Sequence, residues 1–146
     1  MLTQDQIESA ADRLYKAEVN RIQMPALTLE HPGMDMDDAY KIQECWVNRK
    51  LNEGRQVVGY KIGLTSRAMQ MAVNIDTPDY GVLLDDMVFP NNGSIKASNF
   101  TDPRIETEFA FILKAPLSGE NVSIEDVIAA TDYVVPALEL IAARSY

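Results

Sequence analysis

A chain of 146 residues, 47% hydrophobic and 24% charged, is one domain's worth of ordinary globular protein. Its formal net charge of −9 excludes nucleic acid and an anionic membrane surface as partners, because both require clustered Lys and Arg. No apolar run reaches the length of a membrane span, the start Met1-Leu2-Thr3-Gln4-Asp5 lacks the order of a leader peptide, and the single Cys45 excludes an internal disulfide and a Cys-based zinc site.

The reading is therefore a cytoplasmic protein in which Cys45 packs in the core. In chain order, Thr3-Gln4-Asp5-Gln6 forms a capping box, and Ile7, Ala10, Ala11, Leu14 and Ala17 fall on one stripe, which predicts a helix over residues 4–22. Met24-Pro25 ends it, and Leu27 to Gly33 reads as a connector holding the one histidine, His31. Asp35 or Asp37 caps a second helix whose inward stripe is Ala39, Ile42, Gln43, Trp46, Val47 and Lys50, ending at Gly54. Val57, Val58, Tyr60, Ile62 and Leu64 mark a strand, followed by a short helix from Ser66 to Ala72 capped by Thr65 or Ser66. Thr77 to Gly81 is turn chemistry, and apolar residues 82–84 and 87–89 flank Asp85-Asp86. Residues 104–113 read as a strand, Ser123 caps a helix through Ala130, and Tyr133 to Ala142 returns as a strand. Helices first and strands after, with short helical crossings, give the α+β class or a mixed β architecture.

Both late strands are mostly apolar, yet they contain Glu106, Glu108 and Glu139. Side chains alternate along a strand, so Glu106 and Glu108 share a face with their Cβ atoms about 7 Å apart. Apolar residues on both faces make the 105–112 strand read as buried, where an unpaired carboxylate must find a cation or protonate. Three carboxylates without histidine or cysteine suit a hard, oxygen-loving ion such as Mg²⁺ or Mn²⁺. Spacing alone leaves a second reading open, in which Glu106 and Glu108 line the wet face of an edge strand and Glu139 makes a salt bridge at a rim.

Four blocks, in order, carry a resemblance along nearly the whole chain: Gly59-Tyr60-Lys61-Ile62-Gly63-Leu64-Thr65-Ser66, Pro78-Asp79-Tyr80-Gly81, residues 103–111, and residues 130–139. They resemble the fumarylacetoacetate hydrolase superfamily, and within it the hydratase and decarboxylase branch that serves aromatic meta-cleavage catabolism. The resemblance implies an N-terminal helical region over 1–54 and, over 55–146, the first half of a mixed β-roll catalytic domain whose second half is expected to be absent. With that half absent, strand edges near 105–112 and 134–141 are expected to lie unpaired, and Phe109, Phe111, Val135 and Leu140 to be more exposed than their pattern demands.

The resemblance also implies that Glu106, Glu108 and Glu139 bind Mg²⁺ or Mn²⁺ and that Lys61 and Asp79 belong to the active site. Lys61 is a cation suited to a substrate carboxylate or an enolate oxygen, or else a counter-ion for Glu106 or Glu108. Asp79 follows a proline and moves a proton or places water, or else simply makes the turn. Ser66 opens a helix where an anion is favoured, and Arg104 offers a contact for a second substrate carboxylate; capping and a surface salt bridge are their structural alternatives. The implied activity is that of a hydro-lyase adding water to a 2-oxo-alkenoate, either 2-oxo-hept-4-ene-1,7-dioate or 2-hydroxypenta-2,4-dienoate. Decarboxylation of a 2-oxo-enedioate such as 4-oxalocrotonate, acylpyruvate hydrolysis using Glu30-His31, and an inactive, partner-dependent subunit are the competing readings. The implied partners are a small 2-oxo acid and further copies of the chain in a homo-oligomer, or another enzyme of the pathway.

Overall fold

Helix α1 (Gln4–Asn20) begins where the sequence marks it, in a computed structural model that describes every residue from Met1 to Tyr146. Gln6 N–H donates to Thr3 Oγ1 at 3.3 Å and Thr3 N–H to Gln6 Oε1 at 2.9 Å, so the box satisfies amides that the first turn leaves orphaned. The helix stops short of the expected residue 22 because Arg21 turns left-handed at φ 56° and its N–H closes on the Ala17 and Glu18 carbonyls. Leu27–Glu30, expected as connector, forms the single turn α2 with Leu27 buried. Asp35 caps α3 (Met36–Asn52) through a second box with Asp38.

Asp38 does more than cap. It is fully inaccessible, and besides its Asp35 contacts its Oδ1 accepts from Leu2 N–H at 3.0 Å, pinning the chain's beginning onto α3. That backbone donor, with Asp35 N–H, holds the Asp38 carboxyl below the usual aspartate range.

The core joins α1, α3 and one strand. Ile7, Ala10, Ala11 and Ala17 face Ile42, Trp46 and Val47, with Met24, Leu27 and Leu84 completing the cluster. Half-buried Cys45 packs against it, and burial pushes its thiol up. Lys50, placed by its spacing on the inward stripe, is 7% exposed, so its charge needs a partner. Glu18 supplies it: Oε1 accepts from Lys50 Nζ at 2.7 Å, and Oε2 accepts from Trp46 Nε1 at 3.0 Å and meets Arg144 Nη2 at 3.3 Å. The Arg144 guanidinium also lies 4.6 Å above the Trp46 ring.

Strand β1 (Val57–Gly63) pairs antiparallel with β2 (Asp79–Leu84), and α4 (Arg67–Val73) lies between them in sequence. Asp79, expected in a turn, is the first residue of β2 and pairs with Gly63. Strand β3 (Pro103–Leu113) pairs antiparallel with β4 (Thr131–Ala142), the two connected through α5 (Ile124–Ala130), which Ser123 and Asp126 cap. Two two-stranded antiparallel sheets with five helices make the architecture α+β. No helix is long and apolar enough to cross a membrane.

Contacts divide the chain into two compact units, Met1–Asn99 with Arg144–Tyr146, and Phe100–Ala143. Within the first, the last residues run beside Met24: Met24 N–H donates to Arg144 O at 3.0 Å, Tyr146 N–H to Met24 O at 3.1 Å, and Ala26 N–H to Tyr146 O at 3.1 Å.

The second unit corrects one expectation. Strand β3 is not buried on both faces; apart from half-buried Ala110 it is exposed throughout, with Phe109 at 74%. A two-stranded sheet gives each strand one neighbour and leaves an outer edge on each. Phe111 is likewise exposed, whereas Val135 and Leu140 are half-buried.

Because its folded carboxyl titrates below the ordinary value of 3.8, Asp38 contributes stability that is complete above that pH and disappears as pH falls through the folded value. Asp38→Ala should therefore lower the melting temperature at pH 7 by several degrees and flatten the loss of stability below pH 3.8. An acid melting series on both proteins checks this; identical slopes would remove Asp38 from the account.

Candidate active site

Register decides where the glutamates go. Glu106 lies directly opposite Glu139, and Glu108 opposite Ala137. Opposed residues share a face of a sheet, as do residues two apart along a strand. All three glutamates therefore project from one face, and one carboxylate oxygen from each lies within 4.8 Å of the others. The opposite face carries Ile105, Thr107, Phe109 and Phe111 against Leu140, Leu138, Pro136 and Val134.

Glu106 and Glu108 are exposed and Glu139 is half-buried, so burial does not force a cation on them, contrary to the sequence argument. Convergence does the work instead. Three negative charges at this separation repel one another, and a cation between them removes the repulsion. A donor set made of carboxylate oxygens alone fits a hard divalent ion with metal–oxygen distances of about 2.0–2.6 Å.

The other residues expected at the site fall in the first unit, apart from Arg104. Lys61 and Asp79 project from one face of the β1–β2 hairpin, since Lys61 pairs with Gly81 and Gly63 with Asp79. Both are half-buried. Immediately after β1 the chain turns through Leu64 at φ 53°, a conformation that costs a bulky residue about 1–2 kcal/mol. Gln70 Nε2 holds the turn by donating to Leu64 O at 2.7 Å. The turn delivers Ser66 to the start of α4, where its Oγ accepts from Met69 N–H at 3.2 Å. Arg104 stands on the glutamate face of β3 and donates to Asp102 Oδ2 at 2.9 Å, both side chains exposed.

Glu30 and His31 line a cleft of about 310 Å³ with Asp5, Gln6, Ser9, Ala10 and Arg13, and none of the other candidate residues borders it. Both Glu30 oxygens accept from the Arg13 guanidinium, one at 2.7 Å, and this pairing holds the Glu30 carboxyl below its usual range. A carboxylate so engaged is poorly placed to activate His31.

Sequence reasoning missed the surroundings of the hairpin. Tyr40 of α3 stacks on Tyr80 with ring centroids 4.6 Å apart and accepts from Tyr80 N–H at 3.3 Å, while Gln43, one turn on, reaches Gly81. Gln43 belonged to the inward stripe, but nothing local in the sequence tied it to a residue near position 80.

No protein-family model matches the chain. Individual proteins do. It is 52% identical over 136 residues to the 2-oxo-hept-4-ene-1,7-dioate hydratase of Escherichia coli, covering 93% of this chain and 51% of that protein. It is 41% identical over 143 residues to a 2-keto-4-pentenoate hydratase of Paraburkholderia xenovorans (strain LB400), covering 98% and 53%. Among solved structures, the 4-oxalocrotonate decarboxylase of Pseudomonas putida G7 complexed with magnesium and adipate superimposes with a TM-score of 0.94 at 38% identity, covering 99% of this chain and 55% of that one. The same enzyme complexed with calcium and acetate gives the same TM-score. The chain thus spans about half the length of the curated relatives it matches. It belongs to the family of these hydratases and decarboxylases, the branch of the fumarylacetoacetate hydrolase superfamily that its four sequence blocks resemble.

Titration with Mn²⁺, followed by loss of the free-ion paramagnetic signal, is expected to give one ion per chain. Glu106→Gln should weaken that binding at least about tenfold, and Thr107→Val, on the opposite face, should leave it unchanged. Equal affinity in the two variants would remove Glu106 from the site.

Proposed function

We propose that this chain carries the metal-binding part of a divalent-metal-dependent hydratase that adds water to a 2-oxo-alkenoate, either 2-oxo-hept-4-ene-1,7-dioate or 2-hydroxypenta-2,4-dienoate. The observation that carries the reading is the convergence of Glu106, Glu108 and Glu139 within 4.8 Å, in a chain 52% identical to a 2-oxo-hept-4-ene-1,7-dioate hydratase. The proposal makes those glutamates the ligands of Mg²⁺, with Mn²⁺ as the alternative ion; the magnesium and calcium of the solved relatives support a divalent ion of this hardness. Bound there, the ion would act as a Lewis acid toward the carboxylate and keto oxygens of a 2-oxo acid.

The remaining work belongs to side chains of the chain itself. A proton shifts along the substrate to bring its double bond into conjugation with the ketone, water adds at C4, and the enolate collapses to a 4-hydroxy-2-oxo acid. The Lys61 ammonium offers a positive charge to the enolate oxygen as negative charge develops there. Asp79 takes the role of proton carrier or water-orienting group. Ser66 and Arg104 are proposed as contacts for substrate carboxylates, Arg104 exchanging Asp102 for the substrate.

A second reading keeps the same residues but releases CO₂ from a 2-oxo-enedioate, and the 0.94 superposition on 4-oxalocrotonate decarboxylase favours it specifically. Hydrolysis through Glu30 and His31 is disfavoured, because Arg13 already occupies the Glu30 carboxylate. The reading also completes the fold as a mixed β-roll: further strands pair at the outer edges of β3 and β4 and cover Phe109 and Leu138, and copies of the protein associate as a homo-oligomer.

Ultraviolet absorbance of 2-hydroxypenta-2,4-dienoate tests the activity directly. The diene signal should decay with this chain and Mg²⁺ and persist when the ion is chelated; CO₂ evolved from 4-oxalocrotonate instead would select the decarboxylase. Lys61→Met should cut turnover by about 10²-fold or more with Mn²⁺ affinity unchanged. Normal turnover in that variant would end its catalytic role, and no consumption of either substrate would end the proposal for this chain.

A further inference from the structure

Two tripeptides on the β1–β2 hairpin repeat one arrangement: Lys61-Ile62-Gly63 on one strand and Asp79-Tyr80-Gly81 on the other. The antiparallel register sets Lys61 opposite Gly81 and Gly63 opposite Asp79. On one face, therefore, two charged residues stand at opposite corners of a square and two glycines at the others. Each charged side chain lies over the glycine across from it. A Cβ built on Gly63 would stand 2.2 Å from Asp79 Oδ1 and 3.2 Å from its Cγ. One built on Gly81 would stand 3.0 Å from Lys61 Cγ, 3.3 Å from its Cδ and 3.8 Å from Gln43 Oε1.

Neither glycine is there for its backbone. The glycines with positive φ are Gly54 and Gly119, so residues 63 and 81 adopt conformations open to any side chain. What they supply is room. The hairpin is also held from outside, because Tyr80, between Asp79 and Gly81, stacks on Tyr40 and donates its N–H to the Tyr40 hydroxyl. With β2 tied to α3 in this way, an intruding methyl group displaces the charged side chain before it displaces the strand.

We propose that Gly63 and Gly81 are positioning residues: by withholding a Cβ they let the Asp79 carboxylate and the Lys61 stem lie flat across the hairpin, which fixes where the acid and the ammonium are presented to a 2-oxo acid. This rests on the reading that Lys61 and Asp79 serve the reaction. The two sockets are unequal. At position 63 the obstructed atom is the end of a short side chain, one rotation from escape, so a methyl group there expels the carboxylate at little cost to the fold. At position 81 the obstructed atoms are at the base of a long stem, and a small shift there is carried to the ammonium at its tip.

The test uses the full chain as Gly63→Ala, Gly81→Ala and, as control, Gly59→Ala, where an added Cβ meets only Leu83 Cδ1 at 3.9 Å. The first readout is the ¹³C resonance of the Asp79 carboxyl and of the Lys61 Cε, with melting temperature recorded beside it. Gly63→Ala should move the Asp79 signal and Gly81→Ala the Lys61 signal by more than a linewidth, with Gly59→Ala moving neither. The second readout is turnover of 2-hydroxypenta-2,4-dienoate with Mg²⁺, where Gly63→Ala should lower kcat about 10–100-fold with KM little changed. Unmoved resonances in both alanine variants, or equal movement in the control, overturn the proposal, as does an unchanged kcat where the unsubstituted chain is active. Should that chain turn nothing over, the hydratase reading fails, and the resonances still decide whether the sockets hold the side chains. If Gly63→Ala folds poorly, Gly81→Ala decides through Lys61.

Discussion

The pairing of Glu106 with Glu139 across β3 and β4 is the constraint on which the candidate centre depends. Strand periodicity alone aligns Glu106 with Glu108, but only antiparallel register brings in a third carboxylate from about thirty residues away. A slip of one residue would send the whole β4 set, Glu139 included, to the opposite face. The α5 end of the sheet resists such a slip. There Lys114 N–H donates to Ala130 O at 2.8 Å and Thr131 Oγ1 to Val127 O at 2.7 Å, while an irregularity between Ile112 and Leu113 takes up the mismatch as the helix becomes a strand. The capping box of Ser123 and Asp126 fixes where α5 begins, so a surface cap and the carboxylate register belong to one short continuous path.

The first unit relies on a different device. Its helices meet through small alanines, and the polar groups in and around the core are answered: Lys50, Trp46 and Arg144 by Glu18, and the Leu2 and Asp35 amides by Asp38. Removing Glu18 would leave the buried Lys50 ammonium without its carboxylate, which costs more than the contact itself contributes. The hairpin bearing Lys61 and Asp79 joins this frame through Leu84 in the core and through the stacked pair Tyr40 and Tyr80. Lys61 and Asp79, the side chains proposed to meet substrate, are thereby tied to the helical core through β2.

Local chemistry was legible in the sequence. Thr3, Ser66 and Ser123 cap the helices their spacing announces, because a cap needs only residues a few positions away. The shared face of Glu106 and Glu108 was legible for the same reason, being a matter of period two. Asp79 was not: Thr77-Pro78-Asp79 reads as turn chemistry, and only its distant partner Gly63 makes position 79 a strand residue. The partner of Lys50 was equally hidden, since Glu18 lies 32 residues away, and so was Arg144, which meets the same carboxylate from farther still along the chain. The exposure of β3 could not be read from its composition, because Ile105, Phe109 and Phe111 describe the neighbours a strand is built to accept rather than those it has.

The return of Arg144–Tyr146 to Met24 makes the second unit an insertion, with residues 100–143 leaving and rejoining one frame. Chain closed at both ends by other contacts pays for extra length only logarithmically, about 0.6 kcal/mol for each doubling. Added loop length within residues 100–143 therefore costs the first unit little, because Arg144–Tyr146 stay paired with Met24 and Ala26 whatever the length between.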